Sequence, residues 1–179
     1  MEKKLIKLAE NTLKISKKKS WSSITFKEIM RISGINQSKI KNKNDILKNI
    51  NRFFDFKLIK ISKNIEKSSS KDMIFELMMM RFDILHSHRK SVLNFFDFFK
   101  KNPQEFVLLL PSFIESIVLL SSLGGIKRSG IKGNLQIKGL LVVYFSSFLT
   151  WRNDDSISLE KTMTALDNYL NRANKIINL

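Results

Sequence analysis

Asn36, Gln37, Ser38, Lys39 and Lys41 place five polar side chains within six positions, and together they have the chemistry to read a base edge. Asn and Gln can bond an adenine bidentately in the major groove, and Lys can reach guanine or a phosphate oxygen. Thr25, Lys27 and Lys43 flank the cluster and are spaced to touch phosphates, which fixes register without reading sequence. None of this works unless a helix presents the cluster to a groove.

The residues around the cluster predict such a helix and its support. Thr25 with Glu28 three positions on is a capping-box pattern, in which hydroxyl and carboxylate each satisfy an orphan N–H at a helix start. Gly34 follows the last periodic apolar position and suits the left-handed residue that ends a helix. Asn36 can cap the next helix directly. A helix, a short turn with Gly and a second helix with a polar start is the layout that places one helix in a DNA groove.

Residues 5–50 resemble the N-terminal domain of the TetR family of bacterial regulators. Trp21, Ile24, Thr25, Ile29, Ser33, Gly34, Ile35 and Ile40 fall in the family register, and Lys41 to Leu47 matches the segment that opens the family's fourth helix. Two departures are visible. Met30 replaces a small Ala, and the four-residue aromatic run that closes the family's reader helix is missing. The resemblance implies an all-α, TetR-like fold of about nine helices: a three-helix helix-turn-helix domain over 1–48 and a helical bundle over 49–179 that binds ligand and dimerises.

Apolar spacing predicts the helices of that plan. Leu5, Leu8, Thr12 and Ile15 define one over 2–17, and Ile46 to Ile65 define a long helix, 45–66, joining the two domains. Ser68-Ser69-Ser70 marks a boundary, and Asp72 suits the first turn of the next helix. Further helices follow over 90–100, 104–122 (bent at Pro111), 131–151 and 157–177. In the last two, Trp151-Arg152-Asn153-Asp154-Asp155-Ser156 with Thr162 and Leu166-Asp167 is similar to a TetR-like subgroup. That pattern is shared with the lipid-binding accessory proteins of coenzyme Q (ubiquinone) biosynthesis, which have the fold and hold an isoprenoid lipid.

Met78, Phe82, Phe95, Phe96, Phe99, Phe113 and Phe145 are the candidate lining of a pocket for an apolar or isoprenoid ligand, since flat and flexible side chains adapt to oily molecules. Tyr144, Phe148 and Trp151 recur at steps of four and three and are the candidate homodimer stripe. His86 and His88 point apart on a helix, which disfavours a shared metal site. Asp154 and Asp155 suit a helix start better than acid–base chemistry. No phosphate loop or nucleophile signature is present, so neither catalysis nor a cofactor is expected.

Bulk composition bounds the partners. The net charge is +16, of which residues 1–67 carry +12 from 18 Lys and Arg against 6 Asp and Glu. Such asymmetry suits double-stranded DNA or an anionic surface, although 25 of the 32 basic residues being Lys, beside much Asn and Ile, also fits an AT-rich genome. Zero cysteines excludes disulfides and thiolate chemistry. The N-terminus has no signal-peptide core, and the longest uncharged run near the C-terminus, Gly139–Trp151, is too short to span a bilayer. A cytoplasmic location is expected. The function expected is a TetR-like, ligand-responsive DNA-binding regulator; the alternative is a lipid-binding accessory protein of ubiquinone synthesis.

Overall fold

The computed structural model describes residues 1–34, 40–126 and 130–177. Among them are eight α-helices and no strand: α1 (Lys3–Ser16), α2 (Phe26–Ser33), α3 (Lys43–Ile61), α4 (Ser70–His86), α5 (Arg89–Lys101), α6 (Pro103–Leu123), α7 (Gly130–Trp151) and α8 (Glu160–Ile177). The chain is all-α, as its apolar spacing requires. The helix expected after Gly34 falls on residues 35–39, outside the described residues.

Two bounds differ from expectation for physical reasons. The helix expected to run to residue 66 ends at Ile61 in a short 3-10 turn, Ser62–Asn64. Leu58 is its last buried residue, and Ile61 is exposed, so nothing apolar holds a further turn. The last helix begins at Glu160 rather than 157, because Leu159 is held at φ +51° with its side chain wholly buried. Pro111 does not break α6, which runs through it to Leu123.

Contacts divide the chain into two compact units, 1–57 with 84–112, and 58–83 with 113–179. Where the sequence suggests one cut near residue 48, the first unit also takes in α5. In that unit α1 turns Leu8, Ala9, Thr12 and Leu13 inward and packs on α2 and α5. Trp21, Ile24, Ile29, Ile46, Ile50, Phe53 and Phe95 complete its core, with Phe95 edge-on to Trp21 at 5.0 Å.

The second unit is built around α7 and α8, which pack closely along each other. Phe82 of α4 stacks on Tyr144 (5.5 Å, 13°) and on Trp151 (6.5 Å, 25°). Arg81 is buried beside them, donating from Nε to the Tyr144 hydroxyl (3.1 Å) and from Nη2 to Ser116 Oγ (3.3 Å). The turn after α6 uses Gly124 because a Cβ there would meet Ile74 Cδ1 at 2.7 Å.

Candidate nucleic-acid interface

α2 starts and stops as the sequence predicts. Thr25 is its N-cap, and Oγ1 accepts from Glu28 N at 3.1 Å. The Thr25 backbone N–H in turn bonds the Glu28 carboxylate, the second half of the capping box, although Lys19 is the carboxylate's main partner. Glu28 turns its carboxylate to Lys19 Nζ at 2.6 Å, and that bond, opposed by burial, holds the Glu28 carboxyl below its ordinary value. The local backbone bond was legible from spacing, whereas a partner nine residues back was not. At the other end Gly34 takes φ +63°, ψ +35°, its N–H bonded to Met30 O and Arg31 O. Asn11 of α1 reaches Ile32 O at 3.3 Å and ties the end of α2 to its support.

The outer face of α2 is basic. Lys27 is exposed as expected, and Arg31, one turn further on the same face, is exposed beside it. Arg31 was absent from the expected set, though its i+4 spacing from Lys27 was a signal for it. Thr25 is exposed and keeps its hydroxyl hydrogen available to a phosphate. Lys41 is exposed, with its backbone N–H on Asp45 Oδ2 at 2.9 Å, while Asn42 Oδ1 caps α3 by accepting from Asp45 N at 2.9 Å. Asn36, Gln37, Ser38 and Lys39, the expected base readers, lie outside the described residues.

Lys43 is placed differently from expectation. Its ammonium donates to Trp21 O at 2.5 Å and Ile24 O at 2.7 Å, and lies 4.4 Å from the Trp21 ring centroid. Burial pushes its pKa below that of an ordinary lysine, with Glu105 pulling the other way. The charge therefore fastens the loop before α2 to the start of α3, a use that competes with the expected phosphate contact. Asn94 of α5 fastens the same loop from the other side. It accepts from Trp21 N at 2.9 Å and donates to Ser16 O (2.8 Å) and Lys19 O (2.7 Å). Sequence reading missed it, because a lone Asn 73 positions from Trp21 carries no local pattern.

The expected pocket set is divided between the two units. Phe95, Phe96 and Phe99 belong to the first unit, and Met78, Phe82, Phe113 and Phe145 to the second. Met78 and Phe82 are wholly buried and Phe95 is buried, while Phe96, Phe99, Phe113 and Phe145 are half-buried; Phe113 meets Phe145 edge-on at 5.3 Å, and Phe99 meets Phe106 at 5.7 Å. The expected dimer stripe also turns inward. Tyr144 and Trp151 are buried against Phe82, and Phe148 stacks on Trp151 at 5.2 Å. The face that α7 leaves exposed carries Ile131, Leu135, Val142 and Leu149 instead.

No protein-family model matches the chain, and no curated protein matches it. The class its fold defines is an all-α protein of two helical units, one of them strongly basic.

Proposed function

We propose that the chain is a TetR-like DNA-binding regulator, in which the first unit holds duplex DNA and the second answers to an apolar ligand. The observation that carries this reading is the α2–Gly34 turn. A capped helix with a basic outer face, Lys27 and Arg31, ends in a left-handed glycine that sends the chain into the Asn36–Lys41 cluster. The first unit carries 19 Lys and Arg against 7 Asp and Glu, an excess of 12, which suits a polyanion. The apolar-ligand part of the reading now rests on Met78, Phe82, Phe113 and Phe145 of the second unit.

The test is duplex binding from the chain's own upstream region as salt is varied, with unrelated duplex as competitor. Lys27→Ala/Arg31→Ala should weaken binding to all duplexes and flatten the salt slope by about 1 per lost phosphate contact. Gln37→Ala/Lys39→Ala should remove preference for the upstream duplex. Equal binding to every duplex, indifferent to the second pair, would reduce the effect to counterion release and sink the reading.

One observation favours the second reading, a lipid-binding accessory protein of ubiquinone synthesis. Only residues 35–42 lie between Gly34 and α3, and Ile40 is buried while Asn42 is used as a cap. That leaves little length for a reader helix at roughly 1.5 Å per residue. Mass spectrometry of the purified protein decides it: stoichiometric isoprenoid lipid together with no selective DNA binding would favour this reading.

A further inference from the structure

α6 is long and apolar enough to cross a membrane by length and composition: an 18-residue window of it has a mean hydropathy of 2.1, and only 33% of that window is buried. One side of it is committed to protein. Leu109, Ser112, Ser116, Ile117 and Leu120 are buried, and Asn51 Nδ2 of α3 donates to Ser112 O (2.9 Å) and Ser112 Oγ (3.0 Å). Within the first unit the other side carries Val107, Leu108 and Pro111, all exposed, with Val107 at 59% and Leu108 at 55%. Steps of one and three align them as one strip along the helix. With one side packed, α6 can lie on an apolar boundary but not pass through it.

Charge names the occupant of this strip. Lys100 and Lys101 are exposed immediately before α6, and the unit holding Val107, Leu108 and Pro111 carries the excess of 12 positive charges. A DNA duplex would use the charge and leave the strip in water. A second copy of this unit would bring like charge against like charge. An anionic lipid surface satisfies both, taking the strip between its acyl chains while its headgroups meet the lysines. We infer that the outer face of α6 docks the first unit on an anionic lipid surface. The inference stands apart from the DNA reading, because Val107 and Leu108 have no part in that interface.

Co-sedimentation of the full chain with phosphatidylglycerol–phosphatidylcholine vesicles tests it, against vesicles of phosphatidylcholine alone. The chain should bind the anionic vesicles and not the neutral ones. Val107→Gln/Leu108→Gln should weaken binding roughly tenfold or more, because the burial of two aliphatic side chains is lost. Its thermal midpoint and its duplex binding should stay those of the parent chain. Lys100→Gln/Lys101→Gln should weaken binding less and reduce its sensitivity to salt. No binding by the parent chain, or equal binding by the Val107/Leu108 variant, overturns the inference. So does self-association without vesicles that the same variant abolishes, since a second copy then covers the strip.

Discussion

Asp154 shows how one side chain decides a connection between helices. Its carboxylate accepts from Ser156 N (3.3 Å) and Oγ (2.6 Å) and from Thr162 N and Oγ1 (both 2.8 Å), tying the turn after α7 to the first turn of α8. Burial alone would raise its pKa, but the bonds from Ser156 and Thr162 outweigh it and bring the value to about 2. Asp154→Ala should cost about 3 kcal/mol in chemical denaturation, since it leaves the Thr162 donors buried and unpaired. The depressed pKa adds stability above about 3.8 that is lost as pH falls towards about 2, and Asp154→Asn should remove that part of the acid dependence. His88 behaves differently. Its ring sits against Phe53 and Phe54, and its Nε2 meets Lys57 Nζ at 3.2 Å. Burial first, then Lys57 and Lys17, lowers its pKa to about 4. The neutral ring is at no disadvantage above about 6.5, and stability should fall as pH drops from there towards about 4, where the unfolded chain binds the proton and the folded chain does not. Lys57→Met should raise the value measured by NMR only part of the way to 6.5, because burial is the larger cause.

At the scale of elements, the loop between α1 and α2 is held by side chains distant in sequence, Lys43 and Asn94. Asn94→Ala removes three bonds, leaves Trp21 N–H without its partner, and should destabilise the chain by about 2 kcal/mol, read as a lowered denaturation midpoint. Gly34→Ala tests the turn in isolation. A Cβ there meets nothing within 4 Å, so the expected loss, about 1 kcal/mol, is that of the left-handed backbone alone. A larger loss would mean that the turn is constrained by more than its own dihedral angles. The starts of α2, α3 and α4 are encoded locally, each by a cap three residues before its donor. Ser69 Oγ caps α4 by accepting from Asp72 N (3.2 Å) and donates to Asp72 Oδ2 (2.6 Å), so the serine run marks a helix start, while the units divide near residue 57.

At the scale of the whole molecule, the dimer that the family resemblance implies would need a face, and the exposed apolar face differs from the aromatic stripe of the sequence. Leu135, Val142 and Leu149 recur every seven residues on α7, with Val142 at 66% and Leu149 at 52% exposed. A seven-residue apolar repeat on a straight helix stays on one side, as helix pairing requires. Val142→Lys/Leu149→Lys should convert a dimer to a monomer in analytical ultracentrifugation with little change in helicity, whereas Trp151→Ala should unfold rather than dissociate the chain. A parent chain that is monomeric at all concentrations would overturn the dimer expected from the resemblance. The two units also divide the charge unevenly, so raising salt should weaken polyanion binding without altering self-association through α7.

The sequence by itself determined the all-α class, the limits of most helices, and the roles of Thr25 and Gly34, because spacing and capping are local and follow a fixed helical period. It also marked Asp154 and Asp155 as helix-start residues, and Asp154 proved to hold Ser156 and, eight residues on, Thr162. Only the tertiary structure decided which way amphipathic side chains face. Periodicity marks a stripe as apolar but does not say what covers it, so Tyr144 and Trp151 read as a dimer face until Phe82 is seen stacked on them. The same holds for charge: Lys43 reads as a phosphate ligand until Trp21 O and Ile24 O, about twenty residues away, are found at its ammonium. A side chain's neighbours across the fold are set by packing that no short window of sequence contains.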